Sequence, residues 1–105
     1  MGLHEETDMT AAIIAMLKEV YDPELGVNIV DLGLVYGVEC IEGTAKITMT
    51  LTTPGCPMHD MLVGGVKRAA AGLPGVQEVQ VQVVWEPQWS PEQMSEEAKE
   101  WLGYI

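Results

Sequence analysis

Cys56 is the residue with the clearest chemical potential, because a strand-like segment gives way to a helix-like one at this position. Pro57 has the fixed φ and the missing N–H suited to a first helical position, so Cys56 is predicted to be the N-cap of that helix. There the helix dipole and the unpaired amides favour thiolate over thiol. The pattern predicts a reactive thiol, and a small buried packing residue is the open alternative.

His59 follows Cys56 by three residues and is expected to lie near it on the first helical turn. A thiolate and an imidazole are half of a tetrahedral metal site, and with a carboxylate they could instead form a Cys-His hydrolase. Two good metal ligands are missing, and nothing marks an oxyanion hole. We therefore interpret His59 as a solvated side chain and expect no catalytic residue. Cys40, on the inward face of a predicted strand, is interpreted as inert packing.

Carboxylates and tryptophans form two further candidate groups. Asp22, Glu24 and Asp31 could be paired acid-base groups, or turn residues that accept backbone amide bonds, which is the commoner arrangement. Trp85 and Trp89 either cover an edge of the core or form an aromatic rim that binds a partner.

A helix and a turn are predicted at the start of the chain. The apolar spacing predicts a first helix over about residues 9–21, with Asp8 as its cap. Residues 22–26 are predicted to form a rigid turn in which Gly26 permits a positive φ. Residues 1–8 are expected to be a mobile tail.

Three strands and two more helices are predicted after that turn. Alternation predicts strands over residues 34–41, 45–52 and 79–85. A second helix follows Cys56, with an apolar stripe from Met58 to Leu73 that includes Met61, and Gly64-Gly65 within it indicates a close approach to the sheet. A capping box at Ser90 predicts a last helix ending at Gly103. The order α-β-β-α-β-α indicates an α+β fold class, with a small mixed or antiparallel sheet of about three strands and helices mainly on one face.

Size and charge restrict the classes of function. The 105 residues, of which 48% are apolar, are expected to form one domain over residues 1–105. Sixteen acidic and five basic side chains give a formal charge of −11, which argues against nucleic acid and anionic membranes as partners. No apolar run reaches membrane-spanning length and the first residues lack a signal-peptide pattern, so we expect a cytoplasmic protein with free thiols.

Three motifs stand in one order along the chain. They are Asp22-Pro23-Glu24-Leu25-Gly26 with Val30-Asp31-Leu32-Gly33-Leu34-Val35-Tyr36, Met49-Thr50-Leu51-Thr52-Thr53-Pro54-Gly55-Cys56-Pro57, and Val84-Trp85-Glu86-Pro87-Gln88-Trp89. Together they closely resemble the SufT/PaaD-like (MIP18-type) family of iron-sulfur cluster assembly proteins, over nearly the whole chain. The resemblance implies an α+β domain and a role in maturing iron-sulfur proteins by helping to deliver clusters to client apoproteins.

The resemblance also implies a set of functional positions. These are Asp22, Glu24 and Leu25 in the first motif and Thr52, Thr53 and Cys56 in the second. We expect them to converge at one end of the sheet, where Cys56 would transiently contact iron or an iron-sulfur cluster. One cysteine cannot hold a [2Fe–2S] cluster alone, so stable binding would need a homodimer, a client's cysteines or a small thiol. Iron-sulfur assembly proteins and client apoproteins are the implied partners.

Two alternatives to cluster delivery stay open. One is a non-enzymatic adaptor that recruits partners through its acidic surface and the segment from Trp85 to Trp89, with Cys56 only structural. The other is a thiol-dependent hydrolase or redox enzyme, which requires turnover that depends on Cys56.

Overall fold

The computed structural model describes residues 2–52 and 59–104 of the chain, with side chains from residue 9 onward. The helices are α1 (Gly2–Leu17), α2 (His59–Ala71) and α3 (Glu96–Trp101), with a single 3-10 turn at Pro91–Gln93. The strands are β1 (Tyr21–Asp22), β2 (Val27–Asn28), β3 (Val35–Ile41), β4 (Thr44–Met49) and β5 (Glu78–Val83).

The main sheet has β4 at its centre, antiparallel to β3 and parallel to β5. Alternate residues of β4, Ala45, Ile47 and Met49, are buried in a core that also takes in Leu17 of α1 and Val66 of α2. The helices α1 and α2 contact each other as well as the sheet, so they cover the same face. The predicted α+β class, with a small mixed sheet and helices mainly on one face, is confirmed.

The first helix differs from its prediction at both ends. It begins at Gly2, so the predicted start near residue 9 is wrong and Asp8 lies within the helix rather than capping it. It ends at Leu17 because the N–H groups of Glu19 and Val20 donate to carbonyls only three residues back, at 3.0 Å each, which tightens the last turn. The mobility expected of residues 1–8 stays a prediction.

The structure contains a small second sheet that the sequence does not predict. β1 and β2 pair antiparallel on either side of the turn at residues 22–26, with Tyr21 opposite Asn28. Each of these strands has two residues, which is too short for an alternation pattern to show.

A bulge in β3 changes which of its side chains share a face. The pairing with β4 shifts between Val35 and Gly37, so Val35 packs on the core and the predicted alternation is wrong at this end. The Tyr36 hydroxyl donates to the Pro87 carbonyl (2.7 Å) and accepts from Gln93 Nε2 (3.0 Å). The bulge residue therefore ties the sheet to the C-terminal part of the chain.

The second helix buries a narrower stripe than predicted. Its buried residues are Leu62, Val66 and Ala70, and Met61, predicted to belong with them, is 49% exposed. A Cβ at Gly65 would lie 3.3 Å from Val20 Cγ1. The close approach predicted for the glycine pair is thus made to the segment after α1, and not to the sheet.

The C-terminal helix needs two caps. The predicted capping box is present, with the Ser90 N–H donating to Gln93 Oε1 (2.8 Å), but it starts only the 3-10 turn. Met94 is extended (ψ 151°), and Ser95 then caps α3, because its Oγ accepts the N–H of Ala98 in the first turn (3.1 Å). The predicted single helix is wrong because the Ser95 N–H donates to the Asp31 carbonyl (2.8 Å), which breaks the helical path.

Gly33 gives a test of the packing between this segment and the loop before β3. Its φ is +79°, and a Cβ would lie 2.8 Å from the carbonyl carbon of Gln93. We expect Gly33→Ala to lower the free energy of unfolding by at least about 3 kcal/mol, through backbone strain and overpacking together.

Gly26→Ala is the matched control, because Gly26 has a φ of +70° and no heavy atom within 4 Å of the added Cβ. Strain alone should cost about 1 kcal/mol there. Urea unfolding of the two variants measures the difference, and equal losses would contradict the close approach at Gly33.

Candidate functional site

The turn at residues 22–26 is built around the buried carboxylate of Asp22. Asp22 Oδ1 accepts the N–H groups of Glu24 (2.8 Å) and Leu25 (3.2 Å). The Gly26 N–H donates to the Asp22 carbonyl (2.8 Å), and Gly26 has the expected positive φ of +70°. The predicted turn with a positive φ at Gly26 is confirmed. These bonds favour the amide-accepting role for Asp22, whereas the side chain of Glu24 is exposed.

Asp31 is not brought to this turn cluster. Its Oδ2 accepts from Asn28 Nδ2 (2.7 Å), while Asn28 Oδ1 accepts the N–H groups of Val30 (3.0 Å) and Asp31 (2.9 Å). Asp31 lines a different cleft from Asp22 and Glu24. The structure therefore does not group the three carboxylates as one acid-base set.

A cavity of about 330 Å³ joins the two motifs of the predicted site. Asp22, Glu24 and Leu25 line it from the turn, and Thr52 lines it from the end of the segment that follows β4. We call this space the turn cavity. The structure thus brings four of the predicted positions together. Thr53 and Cys56 lie outside the described residues.

The two tryptophans of the third motif have different environments. Trp89 is half-buried, lines the turn cavity and donates its Nε1–H to the Leu32 carbonyl (2.7 Å). Trp85 is 41% exposed and lines a neighbouring cavity of about 250 Å³ together with Thr50 and Thr52. Trp89 therefore covers an edge of the core, as one alternative held, and Trp85 offers surface that a partner could contact.

The C-terminal wall of the turn cavity is absent from the sequence prediction. Leu102 and Tyr104 belong to it. They reach it because Gly103 (φ +86°) ends α3 with a return of the chain, in which the N–H groups of Tyr104 and Gly103 donate to Lys99 (2.7 Å) and Glu100 (3.2 Å). A glycine just after a helix is the sequence signal that could have indicated this return.

Cys40 and His59 are placed as packing and surface residues. Cys40 is buried on the inner face of β3, opposite Ala45, which confirms its predicted packing position. His59 is exposed at the first described position of α2. Within residues 2–52 and 59–104, no group of three or more His, Cys, Asp and Glu side chains could hold a metal ion. No helix in this part of the chain is long and apolar enough to span a membrane.

Comparison with known proteins identifies the family. Residues 10–83 match the model of a family described as iron-sulfur cluster assembly protein. The chain belongs to this family. That match includes the turn at residues 22–26 and Thr52 but stops before Trp89, so the C-terminal wall of the turn cavity lies beyond the matched region.

Relatives within the family carry related descriptions. The chain is 51% identical over 92 residues to the Fe-S protein maturation auxiliary factor YitW of Bacillus subtilis, covering 87% of this chain and 90% of YitW. It is 47% identical over 85 residues to the Fe-S protein maturation auxiliary factor SufT of Staphylococcus aureus, covering 80% and 97%. The resemblance to the SufT-like family is confirmed.

A solved structure has the same fold. The crystal structure of a domain of unknown function, DUF59, from Bacillus anthracis matches with a TM-score of 0.92 at 45% identity. The match covers 98% of this chain and 99% of that one. The likeness in fold therefore extends over almost the whole chain.

Trp89 tests whether the wall of the turn cavity is held by its hydrogen bond. We expect Trp89→Phe to lower the free energy of unfolding by about 1–2 kcal/mol, because the Leu32 carbonyl loses its donor and the ring loses contact area. Trp85→Phe is the control and should cost less than about 0.5 kcal/mol at its exposed position. Urea unfolding followed by circular dichroism measures both, and equal costs would contradict a structural role for the Trp89 bond.

Proposed function

We propose that this chain helps to deliver iron-sulfur clusters to client apoproteins in the cytoplasm, without catalysing a reaction of its own. The observation that carries the proposal is the turn cavity, which joins residues from two separate motifs of the predicted site. The descriptions of YitW and SufT as Fe-S protein maturation auxiliary factors support the same process. Iron-sulfur assembly proteins and client apoproteins are the proposed partners.

Cys56 is the proposed contact to the cargo. It stands four residues after Thr52 in the chain, so covalent geometry keeps its Cα within about 15 Å of that of Thr52, which lines the turn cavity. Thiolate is the ligand that iron-sulfur clusters take, and one thiolate per chain leaves the other iron positions for a second copy, a small thiol or the client. Transfer then proceeds by exchange of one thiolate ligand for another, which needs neither an oxidant nor a reductant.

The two carboxylates of the turn have separate roles in this proposal. Asp22 is buried and accepts two backbone amides, so it shapes the cavity wall. Glu24 is exposed on the same wall, where a partner can reach its side chain. Because carboxylates are poorer ligands than thiolates for iron in clusters, we assign Glu24 to positioning the client rather than to holding the cargo.

An adaptor without any contact to the cargo is the second candidate function, and the exposure of Trp85 favours it. In that case partners dock on the acidic surface and on Trp85, and Cys56 is only structural. Trp89 is not a clean probe of docking because it is bonded to Leu32. Trp85→Ala is therefore the variant that separates the adaptor from the delivery proposal.

Cys56→Ala tests the delivery proposal. We expect transfer of a cluster to an apo-ferredoxin, followed by absorbance under anaerobic conditions, to fall at least about tenfold, since the chain loses its cluster-binding thiolate. Cys40→Ala is the matched control and should transfer as the wild type does, because Cys40 is buried in the core.

Three results would overturn this assignment. Normal transfer by Cys56→Ala would remove the thiol from the mechanism, and loss of transfer in Trp85→Ala alone would favour the adaptor. Turnover of ester or disulfide substrates that depends on Cys56 would favour an enzyme.

Alkylation of Cys56 well below the ordinary thiol pKa of about 8.5 would support a cargo-binding thiolate over a structural thiol.

Two variants test the separate roles of the turn carboxylates. Glu24→Gln removes a charge from the site, and Asp22→Ala removes a side chain that supports the backbone of the turn. We expect Glu24→Gln to leave the free energy of unfolding within about 0.5 kcal/mol and to slow transfer to the client, because an exposed charge is lost. Asp22→Ala should lower the free energy of unfolding by about 1–3 kcal/mol, because two amides lose their acceptor. Urea unfolding and the apo-ferredoxin assay are the two measurements. A loss of stability in Glu24→Gln would contradict the separate roles of the two carboxylates.

A further inference from the structure

A second cleft, which we call the α3 cleft, lies between the β1–β2 ribbon and α3. Its volume is about 300 Å³, and its lining includes Tyr21, Asp31, Glu97 and Trp101. It shares no lining residue with the turn cavity. We propose that the α3 cleft binds an arginine side chain of a partner protein.

The aromatic walls of the cleft are the first support. Trp101 is 74% exposed and Tyr21 is 55% exposed, although both belong to defined elements. Trp, Tyr and Arg are enriched among the residues that carry most of the binding energy of protein interfaces, and such residues tend to pair across the interface. A guanidinium group stacks on such rings through cation–π attraction, and it is less costly to desolvate than an ammonium group.

Charge is the second support. Asp31 and Glu97 both line the cleft, and none of the described residues that line it is basic. Asp31 has one oxygen in a bond with Asn28 (2.7 Å), and a carboxylate can accept several donors. The planar fork of an arginine matches a carboxylate with two parallel bonds while its face stacks on an aromatic ring, which a lysine cannot do.

Hydrogen bonds hold the Asp31 side of the cleft and the start of α3 in place. The Ser95 N–H donates to the Asp31 carbonyl (2.8 Å) and joins the start of α3 to the loop after β2. Asn28 is paired with Tyr21 across the ribbon and bonds the Asp31 carboxylate. Because the Asp31 carboxylate is already oriented by Asn28, less conformational freedom is lost when an arginine binds to it.

The overall charge favours a basic protein segment as the occupant. With a formal charge of −11, the chain attracts positive segments over long range and repels nucleic acid and anionic membranes. The α3 cleft adds the short-range chemistry that selects arginine. This inference concerns recognition alone and does not depend on whether Cys56 contacts a cluster.

Amide and indole NMR shifts of the full chain test the proposal with three small probes. N-acetyl-argininamide should shift the Trp101 indole N–H in a saturable way at millimolar concentration. N-acetyl-citrullinamide has the same shape without the charge and should bind at least about fivefold more weakly, as should N-acetyl-lysinamide. Trp101→Phe assigns the indole signal.

Variants locate the response within the surface. Glu97→Gln should weaken argininamide binding at least about threefold, because a charge-assisted bond is lost. Glu100→Gln is the matched control, since Glu100 lies on the same helix but does not line the cleft. Equal binding of the three probes, equal effects of the two variants, or shifts spread evenly over the acidic surface would each overturn the proposal.

Discussion

The loop that contains Asp31, Leu32 and Gly33 anchors the C-terminal part of the molecule. The Asp31 carbonyl accepts the Ser95 N–H, and the Leu32 carbonyl accepts the indole of Trp89. Gly33 lies so close to the Gln93 backbone that only a residue without a Cβ fits there. Three consecutive residues thus hold the segment 89–95 against the sheet. Both cavities depend on this attachment, because each has one wall from the segment that begins at Trp89.

The short ribbon of β1 and β2 divides its residues between the two cavities. Successive side chains of a strand point to opposite faces. Accordingly Tyr21 lines the α3 cleft, and the adjacent Asp22 lines the turn cavity. On the other side, Trp101 lines the cleft and its neighbour Leu102 lines the turn cavity. The adjacent residues Trp101 and Leu102 thus contribute to different cavities, and a shift of the end of α3 would change both together.

Much of the fold follows from local patterns in the sequence. The alternation in β4 and β5 and the turn chemistry of residues 22–26 predict these two strands and the turn correctly, because each depends on neighbouring residues. The break between Met94 and Ser95 was not predictable in this way. It depends on a bond to Asp31, more than sixty residues away in the sequence. Similarly, the hydroxyl of Tyr36 at the bulge bonds to Pro87 and Gln93, which lie more than fifty residues away in the sequence.

The candidate site was predictable only in part, for a related reason. Motif resemblance indicates Asp22, Glu24, Leu25 and Thr52, and these four line one cavity. Resemblance does not separate the structural carboxylate from the free one, since that depends on which of them meets backbone amides. The far wall, with Leu102 and Tyr104, depends on the return of the chain at Gly103.

The thiolate contact proposed for Cys56 and the arginine contact proposed for the α3 cleft would both be weak, which suits the proposed release of a cluster to a client. A single thiolate holds a cluster loosely, and one arginine in an open cleft adds only modest affinity. When both contacts are made by the same client, the second becomes intramolecular, and the effective concentration of the client thiols at the cargo rises without a tight interface. In the proposed delivery, loss of the thiolate contact on transfer leaves only the arginine contact. The client, now carrying the cluster, can dissociate.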